Sequence, residues 1–204
     1  MIDQWANEFL HKQIEHIVDY IPQNISANMI TILGFVIGLF AVPLISFKLY
    51  SAALVLISVN RFFDGLDGAI ARRNGITSFG GFLDITCDFI FYSALILGFA
   101  IADPEKNGMA SLFLIFSFVG TSTSFLAFAA VSKKHNLFQE KRGKKAFIYL
   151  GGLVEGAETI LFYLIVCLFP EHFPILALIF GIICWLSVFG RIGTAYLALS
   201  KESL

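Results

Sequence analysis

Apolar stretches of helical length follow one another along most of the chain, with short polar stretches between them. A helix that spans a bilayer needs about 20 mostly apolar residues. Six stretches meet this requirement, and they cover residues 28–47, 50–72, 80–102, 108–131, 147–169 and 174–199. The pattern predicts an all-α integral membrane protein with six transmembrane helices.

Residues 1–21 follow a different pattern, in which apolar residues recur at helical spacing among polar ones. The apolar positions are Ile2, Trp5, Phe9, Ile14, Ile17 and Val18. This pattern predicts an amphipathic helix, which either lies at the membrane interface or packs on the protein. Because no long linker follows, we expect residues 1–204 to form a single membrane domain, with its six-helix part at residues 28–199.

The composition supports a membrane location. Hydrophobic residues make up 57% of the chain and charged residues 14%, whereas soluble domains carry about 25% charged residues. The net charge of −1 gives no basis for nucleic-acid binding. Cys87, Cys167 and Cys184 lie in apolar stretches without metal-ligand spacing, so we expect them to be buried hydrophobic residues.

Lys and Arg are distributed unequally between the two sides of a six-helix topology. One side has the N-terminal segment, the loops after helices two and four, and the C-terminal tail, which together hold ten of these residues. The other side has only Lys48 and Lys106. Because Lys and Arg accumulate in cytoplasmic loops, both termini are predicted to lie in the cytoplasm.

Helices two and three carry four aspartates, although a charge inside a span is costly. Asp64 and Asp67 are three residues apart, and Asp84 and Asp88 are four apart, so each pair lies on one helical face. Asp64 and Asp88 are each about 12 Å along their helix from its cytoplasmic end, so the two pairs lie at similar depth. A cytoplasmic nucleotide and a membrane lipid could meet there.

Four converging carboxylates repel one another, and nearby cations remove this cost. Carboxylate oxygens suit Mg²⁺ or Mn²⁺, and the sequence offers no His or Cys cluster that would favour zinc. The alternative is that the aspartates form ion pairs with Arg61, Arg72 or Arg73. Ion pairing explains one aspartate more readily than four.

The segment DGLDGAIARRNGITSFGGFLDITCD resembles the signature of the CDP-alcohol phosphatidyltransferase family. That signature reads D, two residues, D-G, two residues, A-R, seven or eight residues, G, three residues, D, three residues, D. Its fixed positions are filled here by Asp64, Asp67, Gly68, Ala71, Arg72, Gly80, Asp84 and Asp88. The family's six-helix plan also matches the rest of the chain, which most resembles small bacterial inner-membrane members whose acceptor is not established.

The resemblance implies an enzyme of phospholipid biosynthesis that transfers a phosphatidyl group from a CDP-linked lipid, such as CDP-diacylglycerol, to an alcohol and releases CMP. It implies that Asp64, Asp67 and Asp84 hold a pair of Mg²⁺ or Mn²⁺ ions. Asp88 would be the general base and would contact the second ion. The resemblance also implies a homodimer in the bacterial inner membrane, with the active site near the cytoplasmic face.

Contacts to the CDP part of the donor are implied by the same resemblance. The signature residues and their neighbours in this group are Gly68, Ala71, Arg72, Thr77, Ser78 and Gly80. The family also has an Asn-x-x-Thr stretch at the start of helix one, which corresponds to Asn28 and Thr31. The family often has Pro before that Asn, where this chain has Ala27, and Asn28 has the alternative role of a helix cap.

Side chains outside the signature are candidates for the acceptor site. Glu155 and Glu158 share one helical face, and they either bind hydroxyls or an amine of the acceptor or pair with Arg61 or Arg191. The basic loop between helices four and five either binds an acceptor phosphate or contacts anionic lipid headgroups. The acceptor candidates are therefore Glu155, Glu158, Lys134 and Arg191.

Two other functions compete with a phosphatidyltransferase. Intramembrane carboxylates also line the ion paths of cation transporters, but here the aspartates cluster at one depth and do not form a chain across the membrane. A non-catalytic lipid-binding relative is the second alternative. The complete signature argues against it.

Overall fold

The computed structural model describes residue 14, residues 16–134 and residues 156–200, although the side chains of residues 132–134 and 198–199 are not described. After a short helical stretch at residues 16–19, the helices are α1 (Ala27–Leu39), α2 (Ala41–Ser46), α3 (Tyr50–Asn74), α4 (Ser78–Ala102), α5 (Pro104–Lys134), α6 (Gly156–Leu168) and α7 (Phe173–Leu199). A 3₁₀ turn at Pro170–His172 precedes α7. The described chain is thus built from helices and turns, which confirms the all-α fold class.

Within the described residues the predicted apolar stretches fall mainly on helix, and four helical segments of the described chain are long and apolar enough to cross a membrane. They are Ala27–Ser46, Ser78–Ala102, Pro104–Val131 and Pro170–Leu197. Helix α3 has 25 residues and so is about 37 Å long, but its charged residues exclude it from this set. Helix α6 is described over 13 residues, because the start of the predicted fifth span lies outside the described residues. The count of six spans stays a prediction.

Two helix boundaries differ from the expected ones for local reasons. The first apolar stretch is divided at Phe40 into α1 and α2, and Pro43 lacks the N–H that would continue the helical hydrogen bonds. Helix α5 begins at Pro104 rather than near residue 108. The side chain of Asp103 accepts a hydrogen bond from the backbone N–H of Lys106 at 3.1 Å, so the Asp-Pro pair that ends α4 also starts α5.

The described part of the N-terminal segment packs on the protein. Ile14 and Val18 are buried in a cluster with Ile30 of α1 and with Leu66 and Ile70 of α3. Ile17, which the pattern placed on the same apolar side, is 40% exposed. Residues 1–13 lie outside the described residues, so an amphipathic helix over residues 1–21 stays a prediction.

The main core lies where α2, α3, α4, α5, α6 and α7 meet. Aromatic rings fill much of it, including the stacked pairs Phe99–Phe173, with centroids 4.4 Å apart, and Phe162–Phe180, 4.5 Å apart. Such offset or stacked pairs add stabilisation beyond the area that they bury. The core fixes the N-terminal part of α3 and the C-terminal part of α4. The ends of these helices next to residues 75–77 lie outside the core and form a polar site.

A short turn joins α3 to α4 and makes them an antiparallel pair. Gly75 has a φ of 107°, a conformation that side chains rarely adopt, and its N–H donates to the carbonyl of Ala71 at 2.9 Å. Thr77 then caps α4 by accepting a hydrogen bond from the N–H of Gly80 at 3.0 Å. This turn brings the aspartates of α3 next to those of α4.

Helix α1 approaches α3 closely through glycines. A Cβ on Gly34 would lie 2.5 Å from the Cβ of Phe63, and one on Gly38 would lie 2.9 Å from the ring of Phe91. The carbonyl of Gly34 accepts a hydrogen bond from the buried side chain of Asn60 at 3.0 Å. The Gly34–Gly38 pair therefore lets α1 pack closely on α3 and α4, as small residues four positions apart do in membrane helices.

Replacing Gly34 with Ala should lower the melting temperature of the detergent-purified protein. Intrinsic helix propensity favours Ala by about 1 kcal/mol, but the added methyl group must displace Phe63, and such overpacking costs about 1–3 kcal/mol. Gly190→Ala is the matched control, since no atom lies within 4 Å of its Cβ position, and its melting temperature should stay level or rise. Equal melting temperatures for the two variants would refute the close-packing role.

Candidate active site

A small open cavity lies between α1, α3 and α4. It is lined by Thr31, Gly34, Phe35, Asn60, Arg61, Asp64, Asp67, Asp84, Cys87 and Asp88. The turn after α3 thus brings all four predicted aspartates to one cavity. Cys167 and Cys184 are buried as predicted, whereas Cys87 is only half-buried. The expectation for Cys87 was wrong because its position on α4 borders this polar space.

Three of the aspartates have the geometry of a metal site. Asp64, Asp84 and Asp88 can each offer one carboxylate oxygen so that all these atoms lie within 4.8 Å of one another. Carboxylate oxygens at this separation are a donor set for a hard divalent cation such as Mg²⁺ or Mn²⁺. The residues present therefore fit the metal that the sequence predicts.

Asp67 lines the same cavity but is held by another contact. Its Oδ2 accepts a hydrogen bond from Thr31 Oγ1 at 2.5 Å, and its residue exposure is only 6%. Thr31 Oγ1 also lies 3.1 Å from the carbonyl oxygen of Ala27. Asp67 thereby connects α3 to the first turn of α1.

Arg61 lies among the carboxylates. Its Nη2 donates to Asp88 Oδ1 at 2.7 Å, and its Nη1 is 3.5 Å from Asp64 Oδ2. The alternative explanation of the aspartates by ion pairing thus holds for two of them. Arg73 instead donates to the carbonyls of Val18 and Ile21, which ties the N-terminal segment to α3.

Two polar residues beside Arg61 were not predicted from the sequence. Tyr92 donates its hydroxyl to Asp88 Oδ2 at 3.0 Å and accepts from Arg61 Nη1 at 3.1 Å. Asn60 accepts from both Nε and Nη2 of Arg61, at 3.0 and 2.8 Å. The position of Tyr92 could have been predicted from spacing, because a residue four positions after Asp88 lies on the same helical face.

Several candidates for contact with the CDP group lie together. A Cβ on Gly80 would be 3.0 Å from Thr77 Oγ1 and 3.1 Å from Asn28 Oδ1, so the first turns of α1 and α4 are adjacent. Ser26, rather than Asn28, caps α1 by accepting from the N–H of Met29 at 3.3 Å. The amide oxygen of Asn28 therefore faces α4 instead of serving as the cap.

The remaining candidates surround the same corner of the molecule. A Cβ on Gly68 would be 3.5 Å from Arg72 Nη1, and Ala71 and Arg72 belong to the last turn of α3 while Ser78 opens α4. Two helix N-termini meet here, and their unpaired N–H groups and dipoles favour phosphate oxygens. The arrangement suits a pyrophosphate beside the carboxylates.

The acceptor candidates are not part of the described cavity lining. Glu158 is exposed in the first turn of α6. Arg191 is buried between α5 and α7, where it donates to the carbonyl of Thr121 at 3.0 Å and to Ser124 Oγ at 3.1 Å. Glu155 and the side chain of Lys134 lie outside the described residues.

Residues 24–193 match the sequence model of the family described as CDP-alcohol phosphatidyltransferase. An inner membrane protein of Escherichia coli, YnjF, is 49% identical over 87% of this chain and 86% of its own length. An archaetidylinositol phosphate synthase of Pyrococcus horikoshii is 32% identical over 71% of this chain and 77% of its own. Both matches extend well beyond the aspartate segment.

The fold matches a solved structure. The crystal structure of the Mycobacterium tuberculosis phosphatidylinositol phosphate synthase PgsA1, with CDP-DAG bound, superposes with a TM-score of 0.70. The alignment covers 93% of this chain and 94% of that one at 22% sequence identity, so it speaks for the fold alone. The family match, which includes every fixed signature position, shows that this chain belongs to the CDP-alcohol phosphatidyltransferase family.

Proposed function

We propose that this protein transfers a phosphatidyl group, or another substituted phosphate, from a CDP-linked lipid to an alcohol and releases CMP. The observation that carries the proposal is one cavity in which Asp64, Asp84 and Asp88 converge beside the adjacent N-termini of α1 and α4. The names of a relative, archaetidylinositol phosphate synthase, and of a structural neighbour with CDP-DAG bound support it. CDP-diacylglycerol is the first donor to test.

The metal assignment follows from the donor atoms. Two Mg²⁺ or Mn²⁺ ions would be held by the four aspartates, Asp64, Asp67, Asp84 and Asp88. Asp67 would join the other three by giving up its hydrogen bond to Thr31 for contact with an ion. When bound, the ions supply positive charge that neutralises the pyrophosphate oxygens as CMP leaves. The protein contributes the positions of the carboxylates and a cavity that opens toward the lipid donor.

The donor would lie with its CDP group over the starts of α1 and α4. Backbone N–H groups at these helix ends bind phosphate oxygens well, and Gly68 and Gly80 leave room for close approach. The other proposed contacts are Asn28, Thr31, Ala71, Arg72, Thr77 and Ser78. The acyl chains would extend from there into the bilayer.

Asp88 is the proposed general base. It accepts the proton of the acceptor hydroxyl while the alcohol oxygen forms a bond to the phosphorus that carries the lipid. The bond between this phosphorus and the bridging pyrophosphate oxygen breaks, and CMP leaves with that electron pair. A positioned base of this kind contributes on the order of 10²–10⁴-fold to the rate.

The acceptor would approach Asp88 from the side of α6. Gly156 begins that helix, and a Cβ there would lie 3.3 Å from the hydroxyl of Tyr92, which itself binds Asp88. In the sequence Glu155 precedes and Glu158 follows this position, and with Lys134 and Arg191 they stay the proposed acceptor contacts. Carboxylates there favour an uncharged or amino alcohol, and they oppose a phosphorylated one unless the basic residues offset them.

The membrane arrangement is also a proposal. Six spans result when α3 and the predicted fifth span, residues 147–169, are added to the four long apolar segments. This topology would place both termini in the cytoplasm and the cavity near the cytoplasmic face. The inner-membrane description of a relative supports a location in that membrane. We further propose a homodimer, as the family resemblance implies.

Purified protein should release CMP from CDP-diacylglycerol when a suitable alcohol is present, and only with Mg²⁺ or Mn²⁺. A panel of polyols, amino alcohols and phosphorylated alcohols identifies the acceptor, and CMP is measured by chromatography. Excess chelator should abolish turnover, because the clustered carboxylates then lack their counter-ions. Full turnover in chelator would refute the metal assignment. Divalent-ion uptake into proteoliposomes without CMP release would favour a transporter instead.

Asp88→Asn should abolish transfer while CDP-lipid binding stays largely intact. The amide keeps the shape of the side chain but cannot take the proton, so kcat should fall on the order of 10²–10⁴-fold. Asp64→Asn, the comparison variant, should weaken metal and donor binding together. Binding of a CDP-lipid is followed by calorimetry, and near-normal kcat in Asp88→Asn would remove Asp88 from the role of base.

Reporter fusions should place both termini in the cytoplasm. A reporter fused after Leu204 that is active only in the cytoplasm should give signal, and one that is active only outside should not. The reason is the excess of Lys and Arg on that side. The opposite result would invert the topology and separate the cavity from cytoplasmic nucleotides.

A further inference from the structure

We propose that Arg61 is a permanent counter-cation of the carboxylate cluster, which positions Asp88 and weakens the binding of divalent ions. The proposal rests on the proposed function only for its effect on turnover. Its effect on ion binding can be measured without any substrate. No signature position includes Arg61, Asn60 or Tyr92, so the family match assigns them no role.

Asp88 is held through both of its oxygens. Arg61 Nη2 donates to Oδ1 at 2.7 Å, and the hydroxyl of Tyr92 donates to Oδ2 at 3.0 Å. Each carboxylate oxygen can accept more than one hydrogen bond or ligand. These two contacts therefore fix the plane of the carboxylate and still leave lone pairs for an ion and for the acceptor proton.

Arg61 is itself fixed by groups that are not carboxylates. Asn60 Oδ1 accepts two of its N–H bonds, at 3.0 and 2.8 Å, and Asn60 is 4% exposed. The side chain of Asn60 in turn donates to the carbonyl of Gly34 on α1 at 3.0 Å. The guanidinium also lies 5.7 Å from the ring centroid of Phe91, a cation–π distance.

The other support of Asp88 is equally well anchored. Tyr92 is 6% exposed, and its hydroxyl accepts from Arg61 Nη1 at 3.1 Å. Its backbone carbonyl accepts a hydrogen bond at 2.5 Å from the hydroxyl of Tyr163 on α6, which is fully buried. Contacts from α1, α4 and α6 thus hold Arg61 and Tyr92 in place independently of the aspartates.

A cation fixed in this way stays beside the cluster when divalent ions bind. Its positive charge stabilises the aspartates before ions arrive and repels the ions afterwards. Its planar, five-donor fork also does what a lysine could not, because it contacts Asn60, Tyr92 and Asp88 at once. Charge and geometry should therefore have separable effects, on ion affinity and on turnover respectively.

The first measurement is Mn²⁺ binding to the donor-free full-length protein in detergent, with electron paramagnetic resonance as the method of detection. Arg61→Gln removes the charge, and we expect Mn²⁺ to bind at least about tenfold more tightly, which equals roughly 1.4 kcal/mol. Arg61→Lys keeps the charge, so its Kd should stay within about threefold of the wild-type value. Arg73→Gln is the matched control. It removes an arginine of the same helix, but this arginine donates to the carbonyls of Val18 and Ile21, so the Kd for Mn²⁺ should not change.

The second measurement is CMP release at saturating Mn²⁺. Arg61→Gln, Arg61→Lys and Tyr92→Phe should each lower kcat at least about tenfold, because each loosens Asp88. The KM for the CDP-lipid should stay within about threefold, since the donor candidates lie at the starts of α1 and α4 and in the last two turns of α3, and none of them contacts Asp88. Tyr92→Phe keeps the ring and every charge, so its Kd for Mn²⁺ should stay within about threefold of the wild-type value, even though it loosens the proposed ligand Asp88.

Unchanged or weaker Mn²⁺ binding by folded Arg61→Gln would overturn the counter-cation role. Wild-type kcat in Arg61→Lys and Tyr92→Phe would overturn the positioning role. If Arg61→Gln does not fold, these two variants still decide the positioning role, and a Kd for Arg61→Lys far from the wild-type value would contradict the charge argument. If the wild-type protein releases no CMP with any acceptor, the proposed function fails, yet the Mn²⁺ comparison still tests Arg61.

Discussion

Carboxylate charge inside an otherwise apolar helical bundle is the constraint on which the arrangement of this protein depends. Four aspartates on two neighbouring helices are costly in lipid and repel one another. The structure meets this cost with Arg61 at Asp88 and Asp64 and with the hydroxyl of Thr31 at Asp67. One arginine leaves the cluster with net negative charge, which suits the cavity to the divalent cations proposed above.

Close helix packing is what brings these groups within reach of one another. Gly34 and Gly38 let α1 lie directly against α3 and α4, and Gly75 permits the short turn between α3 and α4. The same contacts place Asn60 against α1, where it donates to the carbonyl of Gly34. The glycines of α1 thus help to determine where the guanidinium group of Arg61 lies on α3.

The sequence predicted the helices and the four aspartates well, because both depend on local patterns. Apolar length locates the spans, and three- or four-residue spacing places Asp64 with Asp67 and Asp84 with Asp88 on single faces. The partner of Asp67 could not be predicted in this way, because its hydrogen bond to Thr31 joins residues 36 positions apart. The break at Phe40 and the start of α5 at Pro104 depend on the local effects of proline, which a hydrophobic pattern does not resolve.

The role of Arg61 shows most clearly where reasoning from the sequence was incomplete. The sequence offered three arginines as partners for the aspartates, and spacing could not distinguish them. In the structure Arg61 contacts two aspartates, whereas Arg73 binds the carbonyls of Val18 and Ile21, because the two side chains lie on different parts of α3. Asn60 and Tyr92 explain why Arg61 is the arginine that contacts the aspartates. They supply a fixed set of acceptors around its guanidinium group, beside the carboxylate proposed as the base. A polar network anchored on α1, α4 and α6 therefore orients Asp88.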